Sequence, residues 1–325
     1  MAKNPVLNIG IVGVNDDTNV CINILRKLKR YALSGIFDRR QGQRQGEGKE
    51  NGNVVHYFSG WKELVDKSDA LLLTDGGEEL YDICKYAVKN AKDVFVVHPF
   101  KIEADQLSGL LDYAEEAGAV VQFHSGFTPV LLPGDILRQL PFPVLIKSFQ
   151  QYSEPEKNGY NLDKELFARL QWIQYAIQSK PKNIDGNQFT YQNPNAYLTD
   201  IRVEYENASV ATVFFDSVSG ENENKIMIFS RDIILTADMN TSVLTVESFI
   251  KPDEWLREIP ENLKFIKTGN NSWKAKLQAV RETHETVMEK ELKSFYDSIV
   301  FGKKVAMDLS SVFQTNRILD SIVKY

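Results

Sequence analysis

The strongest constraint on the fold is a regular alternation of short apolar runs with helical segments, which continues from the start of the chain to Phe123. Such alternation is typical of a parallel sheet with helices on both faces, as in a Rossmann-like α/β domain. The runs that predict strands are Val6–Gly13, Tyr31–Phe37, Ala70–Thr74, Val94–Val97 and Val120–Phe123. The intervening helices are predicted at Thr18–Lys29, Trp61–Asp66, Glu79–Asn90 and Ala104–Ala117. The polar, glycine-rich stretch Gln41–Asn53 predicts a mobile surface loop.

Beyond Pro129 the pattern changes, because strand candidates follow one another with short turns, which predicts a large, open, mostly antiparallel sheet in an α+β domain. The strand candidates are Val144–Tyr152, Tyr197–Tyr205, Ser209–Ser217, Lys225–Phe229, Ile233–Asp238 and Val243–Phe249. Helices are predicted at Leu162–Gln178, Ala275–Gly302 and Leu309–Lys324. We therefore expect a Rossmann-like domain at residues 1–128 and an antiparallel-sheet domain at 129–325, whose last helix can pack back on the first domain.

Composition excludes several classes of function. A length of 325 residues supports two domains, and the net charge of −6 provides no basic surface for nucleic acid. No stretch approaches the roughly 20 apolar residues of a membrane span, and nothing marks the chain for export. The two cysteines, Cys21 and Cys84, form no C-x-x-C pair, so we expect reduced thiols and a cytoplasmic location.

The turn after the first predicted strand is a degraded phosphate-binding turn. A dinucleotide site uses G-x-G-x-x-G to bring backbone close to a pyrophosphate at a helix N-terminus. Here Gly13 is the only glycine of the three; Asn15, which can tolerate positive φ, and Thr18 occupy the others. Asp16, Asp17 and Thr18 are each placed to cap the following helix. Carboxylates pointing into the turn would repel a pyrophosphate by roughly 1 kcal/mol or more each.

The end of the second strand keeps a feature of dinucleotide sites. Asp38 lies 20 residues beyond Thr18, the position from which a carboxylate holds an adenosine ribose. Arg39 and Arg40 follow it and would favour a 2′-phosphate, and so NADP, if they are not simply solvated. The sequence thus leaves open whether NAD, NADP or no dinucleotide binds.

The order of short motifs from Trp61 to Pro129 resembles the Gfo/Idh/MocA oxidoreductases, and Glu291–Ser321 resembles the C-terminal segment of that family. The motifs are Trp61-Lys62-Glu63-Leu64, Asp69-Ala70-Leu71-Leu72, Asn90-Ala91-Lys92-Asp93-Val94, Val97-His98-Pro99 and Ile102-Glu103-Ala104-Asp105-Gln106. The resemblance implies that residues 1–128 form a dinucleotide-binding Rossmann domain and that residues 129–325 form an open antiparallel-sheet domain for substrate binding or oligomerisation. It also implies that the cofactor passes Thr74, Gly76 and His98 after the strands.

The residues that carry the family's chemistry are changed. The lysine of the family's E-K-P motif falls on His98, and Lys101 lies three residues later. The family's helical histidine falls near Arg169, and no histidine occurs between Phe127 and Thr283. Arg169 could orient an anionic substrate, but it would be a poor base because it stays protonated. The candidate catalytic residues are therefore His98, Lys101 and Arg169.

Histidines admit two interpretations. His98 and His124 end predicted strands, where ligands lie in open α/β sheets, so either could perform acid–base work; hydrogen-bonded packing explains them equally well. His56 and His284 are expected on the surface. Four scattered histidines without an H-E-x-x-H motif or a cysteine cluster predict no tight zinc site.

Three hypotheses follow from the sequence. The favoured one is a family-like scaffold that binds or regulates but is impaired in hydride transfer. The second is an active NAD(P)-dependent oxidoreductase on a sugar or polyol, with His98 or Lys101 replacing the missing groups. The third is a structural oligomer that uses the large sheet as an interface. Under all three we expect a homodimer or homotetramer formed through the C-terminal sheet.

Overall fold

A computed structural model describes residues 5–41, 46–50, 53–75, 79–97, 104–124, 134–137, 139–152, 162–191, 197–218, 222–257, 263–278, 283–305 and 307–325. The chain divides into two compact units. The first comprises Met1–Gly126 and Thr283–Phe313, and the second Phe127–Glu282 and Gln314–Tyr325.

The described elements up to Phe123 are short strands alternating with helices. They are β1 (Leu7–Val12), α1 (Asp16–Leu28), β2 (Tyr31–Phe37), β3 (Gly46–Glu50), β4 (Asn53–Tyr57), α2 (Trp61–Asp66), β5 (Ala70–Leu73), α3 (Leu80–Lys89), β6 (Asp93–Val96), α4 (Ala104–Ala117) and β7 (Val121–Phe123). These seven strands form one sheet in the order β3-β4-β2-β1-β5-β6-β7, and all neighbouring pairs except β3–β4 are parallel. The predicted Rossmann-like sheet is confirmed.

The core of the first unit explains why this alternation folds. The central strands are apolar on both faces, since Ala70, Leu71, Leu72 and Leu73 are all fully buried. A parallel sheet covered on both faces needs such continuous apolar runs. Helix α1 contributes Cys21, Ile22, Ile24 and Leu25 to the core at helical spacing.

The predicted mobile loop at Gln41–Asn53 is wrong over its second half. Strand β3 pairs antiparallel with β4, and Gly46 adopts φ +98° where the hairpin begins. Gly48 lies against the ring of buried Tyr57, where a Cβ atom would come within 2.6 Å of Cε2. Main-chain hydrogen bonds and this close approach hold the hairpin together. Its first strand has no apolar residues, so the sequence pattern did not predict it.

The later elements are mainly long strands. They are α5 (Gly134–Leu137), β8 (Leu145–Gln151), α6 (Leu162–Ile177), β9 (Pro181–Thr190), β10 (Tyr197–Tyr205), β11 (Val210–Asp216), β12 (Glu223–Ser230), β13 (Ile233–Asp238), β14 (Val243–Ser248), β15 (Phe265–Gly269), β16 (Ser272–Gln278), α7 (His284–Phe301), α8 (Leu309–Asp320) and β17 (Val323–Lys324). The strands form a ten-stranded sheet in the order β15-β16-β14-β13-β12-β8-β11-β10-β9-β17. Only β8–β11 and β9–β17 are parallel, so the predicted mostly antiparallel sheet is confirmed.

Two helix boundaries and one additional strand differ from the prediction. The helix predicted from Ala275 begins at His284, because Ser272–Gln278 is a strand with alternating burial of Ala275 and Leu277. The last helix ends at Asp320, and Val323–Lys324 pairs with β9. Strand β9 was not predicted, since its sequence PKNIDGNQFT is mostly polar and contains Gly186.

No helix within the described ranges is long and apolar enough to cross a membrane.

Cys21 and Cys84 are both buried and free, and burial raises the pKa of each thiol to about 12. Neither thiol is therefore ionised near neutral pH.

Asp93, the first residue of β6, is a carboxyl whose ionisation the fold opposes. It accepts a hydrogen bond from the backbone of Val120 at 2.8 Å. Burial, together with the charge of Asp69, raises its pKa to about 6, while the Val120 bond opposes the shift. The pKa of Asp93 is higher in the folded state than in the unfolded state. Ionisation of this carboxyl therefore lowers the free energy of unfolding.

We predict that Asp93→Asn stabilises the protein at pH 7.5 by about 1–2 kcal/mol. Asparagine keeps the acceptor for Val120 but does not ionise. The gain in the free energy of unfolding should therefore shrink as pH falls from about 6 to about 4, because Asp93 of the wild type then becomes protonated. Urea denaturation at several pH values measures it, with Asp112→Asn on the exposed side of α4 as the control. A gain that is equal at pH 5 and pH 7.5 would contradict this account.

Candidate functional site

Gly13 ends β1 at the turn where a dinucleotide fold receives its phosphates. Its φ is +98°, and a Cβ atom there would lie 2.5 Å from Cβ of Asp75 and 2.7 Å from the Asp75 nitrogen. Position 13 therefore has no room for a side chain, because the backbone that follows β5 lies too close. The sequence predicted a close approach at Gly13, and in this structure the approaching group is Asp75.

The turn is closed by side chains of the protein itself. Asn15 is the N-cap of α1: its Oδ1 accepts the Thr18 N–H at 3.1 Å, and Thr18 Oγ1 accepts the Asn15 N–H at 3.0 Å. Asn15 adopts an extended φ of −150°, so it does not use the positive φ that asparagine tolerates. This capping box satisfies two backbone donors that would otherwise be available to an anion.

Thr74 joins this network from the end of β5. Asn15 Nδ2 donates to the Thr74 carbonyl at 2.6 Å, and Thr74 Oγ1 lies 3.0 Å from the Gly13 carbonyl and 3.1 Å from Thr18 Oγ1. Thr18 and Thr74 are fully buried. Side chains from positions 15, 18 and 74 therefore tie β1, α1 and β5 together.

The two carboxylates of the first helical turn have different surroundings. Asp16 is exposed, whereas Asp17 Oδ1 lies 2.7 Å from Nε2 of His284 at the start of α7. Neither caps the helix as the sequence suggested, because Asn15 already holds that position. Asp17 is engaged with α7, which reduces its repulsion of an anion at the turn.

Asp38 follows β2 and is buried, with 8% of its surface exposed. Its Oδ1 accepts the Arg40 N–H at 3.1 Å. The Arg40 guanidinium donates to the Val14 carbonyl at 3.2 Å and lies 3.5 Å from Asp75 Oδ2, so it spans the turn. Arg39 is exposed beside it.

A cleft lies at the carboxyl ends of β1 and β2 and the start of α3. It has a volume of about 270 Å³, including space open to solvent. Its lining residues are Val12, Gly13, Phe37, Arg39, Asp75, Glu79, Leu80 and Ile83. Apolar walls beside a carboxylate at strand ends suit the base and ribose of a nucleoside.

His124 follows β7 and is nearly buried. Its Nδ1 lies 2.5 Å from Oε2 of Glu291 on α7, and its ring meets the ring of His284 edge to face, with centres 5.1 Å apart. His284 is half exposed, as expected, and His56 is exposed on β4. The fold thus brings two of the four histidines together.

Arg169 lies on α6 in the second unit, and its side chain is fully buried. Its Nη2 donates to Gln150 Oε1 at 2.6 Å and to Asn224 Oδ1 at 3.0 Å, so it joins the helix to strands β8 and β12. Burial raises the pKa of Glu165, one turn earlier, and the charge of Arg169 partly opposes that shift. These amide partners of Arg169 could not be found from sequence, since they lie on distant strands.

Comparison with known proteins identifies the first unit. Residues 7–125 match the sequence profile of the GFO_IDH_MocA family, described as "Oxidoreductase family, NAD-binding Rossmann fold". This segment belongs to the Gfo/Idh/MocA family. No curated protein sequence matches the chain significantly.

Several solved structures of oxidoreductases share the fold of this chain along almost its whole length. An NAD binding oxidoreductase from Klebsiella pneumoniae has a TM-score of 0.74 at 15% identity, covering 98% of this chain and 96% of that one. UDP-N-acetylglucosamine 3-dehydrogenase GnnA from Acidithiobacillus ferrooxidans has a TM-score of 0.71 at 14% identity, covering 97% of both. Biliverdin reductase from Synechocystis sp. PCC 6803, in complex with biliverdin and NADP+, has a TM-score of 0.63 at 14% identity, covering 96% of both.

The expected Gfo/Idh/MocA site is only partly represented in the described residues. Gly13, Asn15, Asp38, Arg39 and Thr74 gather at the ends of β1, β2 and β5. Gly76, His98 and Lys101 lie outside the described residues. Thr18 and Arg40, which the sequence also placed at this site, make contacts with Thr74, Val14 and Asp75 that depend on the tertiary fold.

We predict that Asn15→Ala destabilises the protein by about 1–2 kcal/mol, because it removes an N-cap and the hydrogen bond to Thr74. Asn15→Ser keeps a capping oxygen and loses the Nδ2 donor, so it should cost less. Chemical denaturation of both variants checks the order. Equal stability of Asn15→Ala and the wild type would refute the network.

Proposed function

We propose that this chain is a binding or regulatory protein, built on the fold of the NAD(P)-binding oxidoreductases, that is impaired in hydride transfer or lacks it. The observation that carries the proposal is the capping box of Asn15 and Thr18, which uses backbone donors at the phosphate turn. A pyrophosphate that binds there would have to displace these bonds. Phe37, Leu80 and Ile83 line an apolar cleft that suits contact with an adenine base, whereas a pyrophosphate does not fit the closed turn.

The environment of Arg169 supports the same proposal. A helical acid–base group must exchange a proton, and arginine stays protonated in proteins. Arg169 is also buried and holds Gln150 and Asn224, which favours a structural role in the second unit over the role of orienting a substrate.

The experiment that tests the proposal is calorimetric titration with NAD+ and NADP+, combined with a turnover assay on a panel of sugars and polyols. We expect affinity no better than millimolar and no turnover. Micromolar binding with turnover would overturn the proposal.

We further predict that Asn15→Gly/Thr18→Gly, which recreates the G-x-G-x-x-G spacing with Gly13, raises dinucleotide affinity at least tenfold. The reason is that it frees backbone donors at the N-terminus of α1. Thr283→Gly/Thr286→Gly is the matched control, because it removes the equivalent capping residues from α7. A double variant that remains folded but gains no affinity would show that the cap does not close the site.

An active NAD(P)-dependent oxidoreductase on a sugar or polyol is the second candidate function. The buried carboxylate of Asp38 beside an apolar cleft favours it, because this is the ribose-binding arrangement of dinucleotide folds. In that case His98 is the acid–base group, and His98→Ala should abolish turnover while cofactor binding persists. Turnover unchanged in His98→Ala would remove that role.

We also propose a homodimer or homotetramer that forms through the outer face of the second sheet, the face opposite the buried core residues. Phe149 and Phe214 are cross-strand partners on this face, with ring centres 5.1 Å apart and planes at 7°. Phe229 pairs with Leu145 and Ile234 beside them. Lys147 and Lys225 lie among these rings on the same face, so the face is mixed, and the partly exposed aromatic side chains favour burial against a second copy.

The two free thiols support a reducing compartment such as the cytoplasm.

We predict that Phe214→Asp shifts the protein toward the monomer mass of 37.0 kDa, because a charge on this face must be desolvated at the interface. Sedimentation velocity measures the shift. Val54→Asp, at an exposed apolar position on β4, is the control and should leave the assembly intact. A wild-type protein that sediments as a monomer at micromolar concentration would exclude the interface.

A further inference from the structure

The pair formed by His124 and His284 has the chemistry of a metal site outside the cleft. The two residues are far apart in sequence, but β7 ends and α7 begins so that their rings lie edge to face at 5.1 Å and 88°. Two imidazoles that share a tetrahedral metal, each with its nitrogen at about 2.0–2.1 Å, have ring centres roughly 5 Å apart. The observed separation is therefore compatible with one shared ion.

Each ring already has the outer partner that metal-binding histidines usually have. His124 Nδ1 is bound to Glu291 Oε2, and His284 Nε2 is bound to Asp17 Oδ1. In carboxylate–histidine–metal arrangements, such a bond fixes the tautomer and directs the other ring nitrogen to the ion. Here the other nitrogens are Nε2 of His124 and Nδ1 of His284.

The position of the pair also permits entry of an ion. The His124 side chain is 9% exposed, but that of His284 is 47% exposed, so the pair lies between the core and solvent. All four residues belong to the first unit, on α1, α7 and the end of β7. Two carboxylates beside two imidazoles give the cluster a negative charge when the imidazoles are neutral, which favours a cation.

We propose that His124 and His284 form a two-histidine site for a divalent transition metal such as Zn²⁺ or Cu²⁺, with Glu291 and Asp17 as positioning residues. Among the described residues, no group of three or more His, Cys, Asp or Glu is spaced to hold a metal. Water completes the coordination, and the affinity is therefore in the micromolar range expected of few protein ligands. A bound ion ties α1 to α7 and β7.

The first experiment uses the full-length wild-type protein without any variant. Substoichiometric Cu²⁺, which heads the affinity order of divalent metals for imidazole, is added while histidine ring resonances are recorded by NMR. We expect the signals of two of the four histidines to broaden first. Uniform broadening of all four, or none, would overturn the proposal.

The second experiment measures Zn²⁺ affinity by calorimetry in His284→Gln, which keeps a hydrogen-bonding side chain toward Asp17 but removes the ring. The affinity should fall at least tenfold, whereas His56→Gln, at an exposed histidine on β4, should bind as the wild type does. Glu291→Gln and Asp17→Asn should each weaken binding about 10–100-fold, as loss of an outer partner does. Wild-type affinity in folded His284→Gln would refute the site.

Discussion

The hydrogen-bond network of Asn15, Thr18 and Thr74 is the constraint on which the first unit depends. It lies where β1, α1 and β5 meet, at full burial of both threonines, so each polar atom must find a partner within the protein. Asn15 supplies a cap to α1 and a donor to the Thr74 carbonyl at once. The same bonds that fix this junction use donors that a phosphate would need. Stability of the junction and affinity for an anion therefore compete for the same backbone groups.

This competition affects the two halves of the nucleotide cleft differently. The half beside Asp38 is bounded by Phe37, Leu80 and Ile83, and none of these is used to close the phosphate turn. At the other half, Arg40 bridges Val14 and Asp75, so a cation is already paired with protein acceptors at the point where a phosphate would approach. A ligand would have to exchange these partners for its own. The apolar walls of the cleft thus take no part in these bonds, whereas Arg40 is already paired with acceptors of the protein.

The sequence predicted those parts of the structure that depend on apolar periodicity. Strands such as Ala70–Leu73 are buried on both faces and leave a continuous apolar run, so their type and order were evident. The β3–β4 hairpin and β9 could not be found in this way, because main-chain pairing and the close approaches at Gly48 and Gly186 hold them. At the site, the sequence identified the residues that form the turn, and their role in binding a cofactor stays a prediction. The sequence did not identify the cap, since whether Asn15 or a following residue caps α1 depends on a backbone angle that the sequence does not determine.

Residue type alone is also a poor guide to role when the partners lie far away along the chain. A buried guanidinium such as that of Arg169 is costly unless hydrogen bonds compensate, and the side-chain oxygens of Gln150 and Asn224 provide that compensation. A histidine at that position could donate a similar bond and also accept a proton; arginine can only donate. An arginine at this position therefore holds a polar core together but has no capacity for proton transfer near neutral pH. In the first unit, the partners of His124 also come from far along the chain, since a carboxylate and a second imidazole reach it from α7.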